Sequence, residues 1–77
     1  MEFEYDPAKS AKNIAKHGID FEAAQRMWDN SKTVTLTAPN PGNDDVRYIV
    51  LGMIDGKHWT AITTKRGKRI RIISVRR

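Results

Sequence analysis

Cysteine is absent from these 77 residues, which removes disulfides, thiolate catalysis and every cysteine-bearing zinc site together. Two histidines without cysteine make a poor zinc set, so no bound metal is expected. No apolar run approaches the roughly 18 residues that a membrane helix needs. The opening, Met1-Glu2-Phe3-Glu4-Tyr5-Asp6, is acidic and alternating, unlike a secretory signal. The five glycines form no phosphate-cradling loop. A chain this short makes one domain, burying only about 60–65% of its unfolded surface, with no room for an enclosed cofactor. These exclusions leave a small soluble protein of the cytoplasm, without cofactor.

Acid is missing from one place in particular. Across 65–77 stand Lys65, Arg66, Lys68, Arg69, Arg71, Arg76 and Arg77, and no Asp or Glu interrupts them. Residues 1–64 hold the other seven basic residues against all nine acids, a net −2, so the +5 total hides a strong asymmetry. Ile70, Ile72, Ile73 and Val75 run through the same stretch, too apolar for a solvated arm. Arginines interleaved with β-branched residues predict a strand held by its apolar face, presenting guanidinium groups at fixed spacing. Guanidinium is planar, always charged and matched to phosphate geometry. A phosphate-rich partner follows.

The order of elements reads β-α-α-β-β-β-β. Residues 2–5 alternate as a half-buried strand, and Asp6-Pro7 caps and opens a helix over 8–16 that ends at His17-Gly18. Asp20 caps a second helix with Phe21, Ala24, Met27 and Trp28 on one face, ended by Asp29-Asn30-Ser31. Strands follow over 33–37, 46–54, 57–64 and 68–75, with 38–45 as a loop and Asp55-Gly56 and Arg66-Gly67 as tight turns. The fold class is α+β, two helices packed on one face of a mostly antiparallel sheet. On the last strand, alternation places 69, 71, 73 and 75 on one face, and Ile70 and Ile72 toward the helices.

Several segments together resemble the BrnT family of type II toxins. They are Phe3-Glu4-Tyr5-Asp6-Pro7-Ala8-Lys9, Asn13 with Lys16-His17-Gly18-Ile19, Phe21-Glu22-Ala23-Ala24, Arg47, and the final Ile70-Arg71-Ile72-Ile73-Ser74-Val75-Arg76-Arg77. The resemblance covers 1–77 as a single toxin domain and implies a RelE-like fold, metal-independent cleavage of RNA, inhibition of translation and growth, and neutralisation by a BrnA-like antitoxin. Family chains usually continue beyond the arginine pair into a short helix, whereas this sequence stops at Arg77.

Metal-free RNA cleavage needs a base for the 2′-hydroxyl, cations for the phosphorane and an acid for the leaving oxygen. Arg71 and Arg76, both within the final family-like segment, lead the cations, and Arg47 on a neighbouring strand could converge with them or pair with Asp44 or Asp45. His17 ends the first helix, where the dipole favours a cation, and an imidazole there suits acid or base work. Glu22, one turn away across Gly18, is a possible base, or simply an i,i+4 partner of Arg26. Lys9, Lys12 and Lys16 form a ridge on the first helix that could track RNA backbone, as could Arg69 and Arg77; the alternative for each is a solvated face. His58, beside a hairpin turn, reads as merely exposed. Trp28 and Trp59 read as core, either with a rim able to stack a base. Two rivals stand beside the ribonuclease: a non-catalytic nucleic-acid-binding module, and a module that only meets an acidic antitoxin.

Overall fold

The computed structural model describes residues 2–29, 32–39 and 46–77. Strand β1 (Glu2–Glu4) leads into helix α1 (Pro7–His17), helix α2 (Phe21–Ala24) and a 3₁₀ turn over Gln25–Asp29. Strands β2 (Val34–Pro39), β3 (Val46–Ile54), β4 (Lys57–Arg66) and β5 (Arg69–Arg76) follow. The five strands form one sheet in the order β1-β5-β4-β3-β2, antiparallel except for the parallel β1–β5 pair. The α+β class and the element order are as the sequence predicts.

Local chemistry explains the boundaries. The Asp6 carboxylate accepts from the Ala8 N–H at 2.9 Å, with Pro7 in the first turn where its missing donor costs nothing. Gly18 closes α1 in the left-handed region (φ 83°), donating to the Ile14 carbonyl at 2.9 Å. Asp20 caps α2 by accepting from the Ala23 N–H at 2.8 Å. The second helix does not continue as α through Trp28; it tightens to 3₁₀ after Ala24. Ala24, the last α-helical residue, and Met27 within the 3₁₀ turn are both fully buried. Asp55 and Gly56, both at positive φ, make the two-residue hairpin between β3 and β4. Strand β2 reaches two residues further than the sequence suggests, to Pro39, tolerated because β2 is an edge strand. The rest of the expected 38–45 loop lies outside the described residues, as does the Asn30-Ser31 stop.

The core gathers Ile19, Phe21, Ala24 and Met27 from the helical segment with Val50, Ile54, Trp59, Ala61, Ile72 and Val75 from the sheet. Trp28 packs at its margin, edge-on to Phe3 at 4.9 Å between ring centroids. His58 is exposed. Simple alternation fails on β5. Thr63 pairs with Ile72 but Ile62 with Ser74, so Ile73 is an extra, bulged residue. The bulge returns Val75 to the core side beside Ile72, and it turns Arg76 to the same side as Arg71.

Strand β1 pairs only with 69–71, leaving the rest of β5 at an edge. Asn13 of α1 takes over there. Its amide donates to the Val75 carbonyl at 2.9 Å and accepts from the Val75 N–H at 3.2 Å, as a neighbouring strand would. It also donates to the Ile19 carbonyl at 2.8 Å, while Ser10 Oγ accepts from the Phe21 N–H at 2.9 Å. Two buried polar residues thus fix α1 against both β5 and the next helix.

Candidate nucleic-acid interface

The strand register brings one row of side chains together across the sheet. Arg47 on β3 lies opposite Thr64 on β4, Thr64 opposite Arg71 on β5, and Arg71 beside Glu4 on β1. Directly opposed residues share a face, so all four point away from the core side. The Cα atoms of Arg47 and Arg71 stand two strand spacings apart, about 10 Å, within joint reach of one anion. Thr64 between them donates its hydroxyl to the Val46 carbonyl at 3.2 Å.

A cavity of about 620 Å³ opens over this row, lined by Lys9, Arg47, Thr64, Lys65, Arg66, Arg71 and Ile73. Five of its seven lining residues are cationic and none is acidic. Its neighbour Glu4 holds Arg71 by a 2.9 Å contact between Oε2 and Nη1, with both side chains about three-quarters withdrawn from solvent. Arg69 leans more loosely on Glu2, at 3.8 Å in the open. The two β1 carboxylates are therefore spaced to meet alternate arginines of β5.

The structure gathers some of the predicted residues and separates others. Lys9, Arg47 and Arg71 meet at the cavity. Arg76 shares their side of the sheet but pairs with Thr60, four residues along β4 from Thr64, about 13 Å away. Arg77 lies elsewhere, its guanidinium 5.7 Å from the Trp59 ring centroid. Lys12 and Lys16 are exposed on α1, and half-buried His17 ends that helix, eight residues or about 12 Å beyond Lys9. Glu22 is exposed in the first turn of α2. Arg26 reaches past Glu22 to Asp55, which it grips with two hydrogen bonds of 2.8 and 3.1 Å. That bond, and then the guanidinium charge, hold the Asp55 carboxyl below its ordinary 3.8. The expected partners of Arg47, Asp44 and Asp45, lie outside the described residues.

The sequence marks Lys65 and Arg66 as basic charge and Glu4 as part of the opening motif, none of them as a site residue, and it does not mark Thr64; part of the signal lay in the turns. A two-residue turn at Asp55-Gly56 forces Ile54 opposite Lys57 and, seven pairs later, Arg47 opposite Thr64. The second turn lies at Gly67-Lys68, one residue later than the expected Arg66-Gly67, and pairs Arg66 with Arg69 and so Thr64 with Arg71. The first turn alone is legible in the right register.

A family model matches residues 5–77, under the description ribonuclease toxin, BrnT, of type II toxin–antitoxin system. The chain belongs to this BrnT family. It is thereby a ribonuclease toxin, with RNA as substrate and an antitoxin as partner. No curated protein matches the chain. Among the described residues, no helix is long and apolar enough to cross a membrane.

Proposed function

We propose that this toxin cuts RNA without a metal ion, with Arg47 and Arg71 as the paired cations that stabilise the phosphorane. The observation that carries this reading is the Arg47–Thr64–Arg71 row beneath an acid-free cavity. The sheet sets the two arginines on adjacent sides of one threonine, and Glu4 further holds the Arg71 guanidinium in place, so less reorganisation is needed there as charge develops. Lys9, Arg66 and Arg69 lead the flanking phosphates toward the row, and Arg76, Arg77, Lys12 and Lys16 extend the path. His17 and Glu22 stand away from this row, His17 about 12 Å beyond Lys9 along α1, so they carry no proton-transfer step in this reading. The 2′-hydroxyl gives its proton to water as it attacks the adjacent phosphorus, the 5′-oxygen leaves with a proton taken from water, and a 2′,3′-cyclic phosphate results.

In this reading 1–77 is a single RelE-like toxin domain acting in the cytoplasm. It stops translation and growth by cutting RNA, and a BrnA-like antitoxin neutralises it. The experiment is cleavage of a defined RNA in EDTA, with the fragment ends identified. Fragments bearing 2′,3′-cyclic phosphate are expected, at a rate EDTA leaves unchanged. Cleavage abolished by EDTA and restored by a divalent cation would overturn the metal-free mechanism.

A further inference from the structure

A second, apolar cleft opens beside the cationic cavity, on the other side of the sheet. Its volume is about 320 Å³, and Trp28, Thr35, Tyr48, Thr63, Lys65 and Ile70 line it. By register, Thr35, Tyr48, Thr63, Lys65 and Ile70 all belong to the core side, at the end where the buried cluster stops. Tyr48 and Trp28 are only half-buried there. The Lys65 ammonium rests 5.1 Å from the Tyr48 ring centroid, so an exposed, flexible side chain, rather than the packed core, covers that ring face.

We propose that this cleft holds one nucleobase of the bound RNA, resting on the phosphate reading above. Three features converge on that occupant. The walls are aromatic and aliphatic, with threonine hydroxyls at 35 and 63, which suits a flat ring with polar edges. Lys65 lines both this cleft and the cationic cavity, so a nucleotide whose phosphate meets Arg47 and Arg71 can turn its base over the sheet rim. The same ammonium that now sits on Tyr48 can yield the ring to the base and swing to the neighbouring phosphate. Stacking on Tyr48, in a cleft that Trp28 also lines, gives base-dependent affinity that a charged groove alone does not supply.

The test compares two single-stranded hexamers with 2′-O-methyl riboses, which cannot be cleaved: one with bases, one abasic with the same phosphates. The base-bearing hexamer should bind wild-type protein roughly tenfold or more tightly than the abasic one. Tyr48→Leu should erase that difference while leaving the abasic affinity unchanged. Fluorescence of a Trp59→Phe protein, which retains Trp28, supplies a second readout independent of the folding of Tyr48→Leu. The base-bearing hexamer should quench it and the abasic one should not. Equal affinities for the two hexamers, or a Tyr48→Leu protein that weakens both alike, would overturn the base site while the phosphate reading stands. Failure of both hexamers to bind at low salt would overturn the phosphate reading and this inference with it.

Discussion

Arg71 is held twice: by its strand, opposite Thr64, and by the Glu4 carboxylate at 2.9 Å. Side-chain freedom that would otherwise oppose phosphate binding is thereby already restricted. Arg71→Ala should cost about 2–4 kcal/mol of transition-state stabilisation, the range for one preorganised donor. Lys57→Ala, at the distant Asp55-Gly56 hairpin, should leave single-turnover rates near wild type. Equal rates for the two variants, with folding checked by circular dichroism, would remove Arg71 from the site. Glu4 has two opposed effects, since it orients Arg71 and also competes with phosphate for it. Glu4→Gln should therefore tighten RNA binding at low salt, while the cleavage rate falls. A rate that rises along with affinity would show that Glu4 only masks the arginine.

At the scale of elements, α1 depends on Asn13. The residue is only 6% exposed, and its side chain satisfies both backbone groups of Val75. Asn13→Ala leaves these groups, and the Ile19 carbonyl, without their partner, a loss of roughly 2–4 kcal/mol by denaturant titration. A loss under about 1 kcal/mol would mean water replaces the amide. The 3₁₀ turn and the β3–β4 hairpin are joined by Arg26 and Asp55. Asp55 titrates below its ordinary 3.8, so the pair adds stability above that value and loses it as pH falls through the lowered pKa. Arg26→Ala should lower the melting temperature slightly at neutral pH and not at all once Asp55 is protonated. An equal deficit at both pH values would assign the effect to packing.

The elements themselves were largely legible, because caps and turns act locally: Asp6-Pro7, Gly18, Asp20 and Asp55-Gly56 each sit at an element boundary. The bulge at Ile73 was not, since nothing about an isoleucine announces one and only its cross-strand partners reveal it. Alternation accordingly misplaced Val75. Arg26 was likewise matched to Glu22 by helical spacing, while its partner waited 29 residues away on a hairpin. Of the site, the arginines and Lys9 were visible as charge; their union with Thr64, Lys65 and Arg66 depends on strand register.

For the molecule as a whole, cations outnumber carboxylates at the cavity end of the sheet, where only Glu2 and Glu4 among the described residues answer Arg69 and Arg71. The cavity, α1 and β5 together can neutralise about four to six phosphates of single-stranded RNA, for a log–log salt slope of about −3 to −4. A slope near zero would mean that the charge serves another partner. The same field should speed capture by an acidic antitoxin. Complex formation should slow for Arg71→Gln with Arg76→Gln, more at low salt than at high. An association rate indifferent to both would place the antitoxin elsewhere.

The central claim is that Arg47 and Arg71 act on one phosphate, and a double-mutant cycle tests it most directly. Single-turnover cleavage would be measured for wild type, Arg47→Ala, Arg71→Ala and the double variant, all in EDTA. Residues that serve one transition-state charge are non-additive. The double variant should therefore be little slower than the slower single variant, a coupling of at least about 1 kcal/mol. Additive losses, or a cleavage rate that neither substitution lowers, would contradict the account.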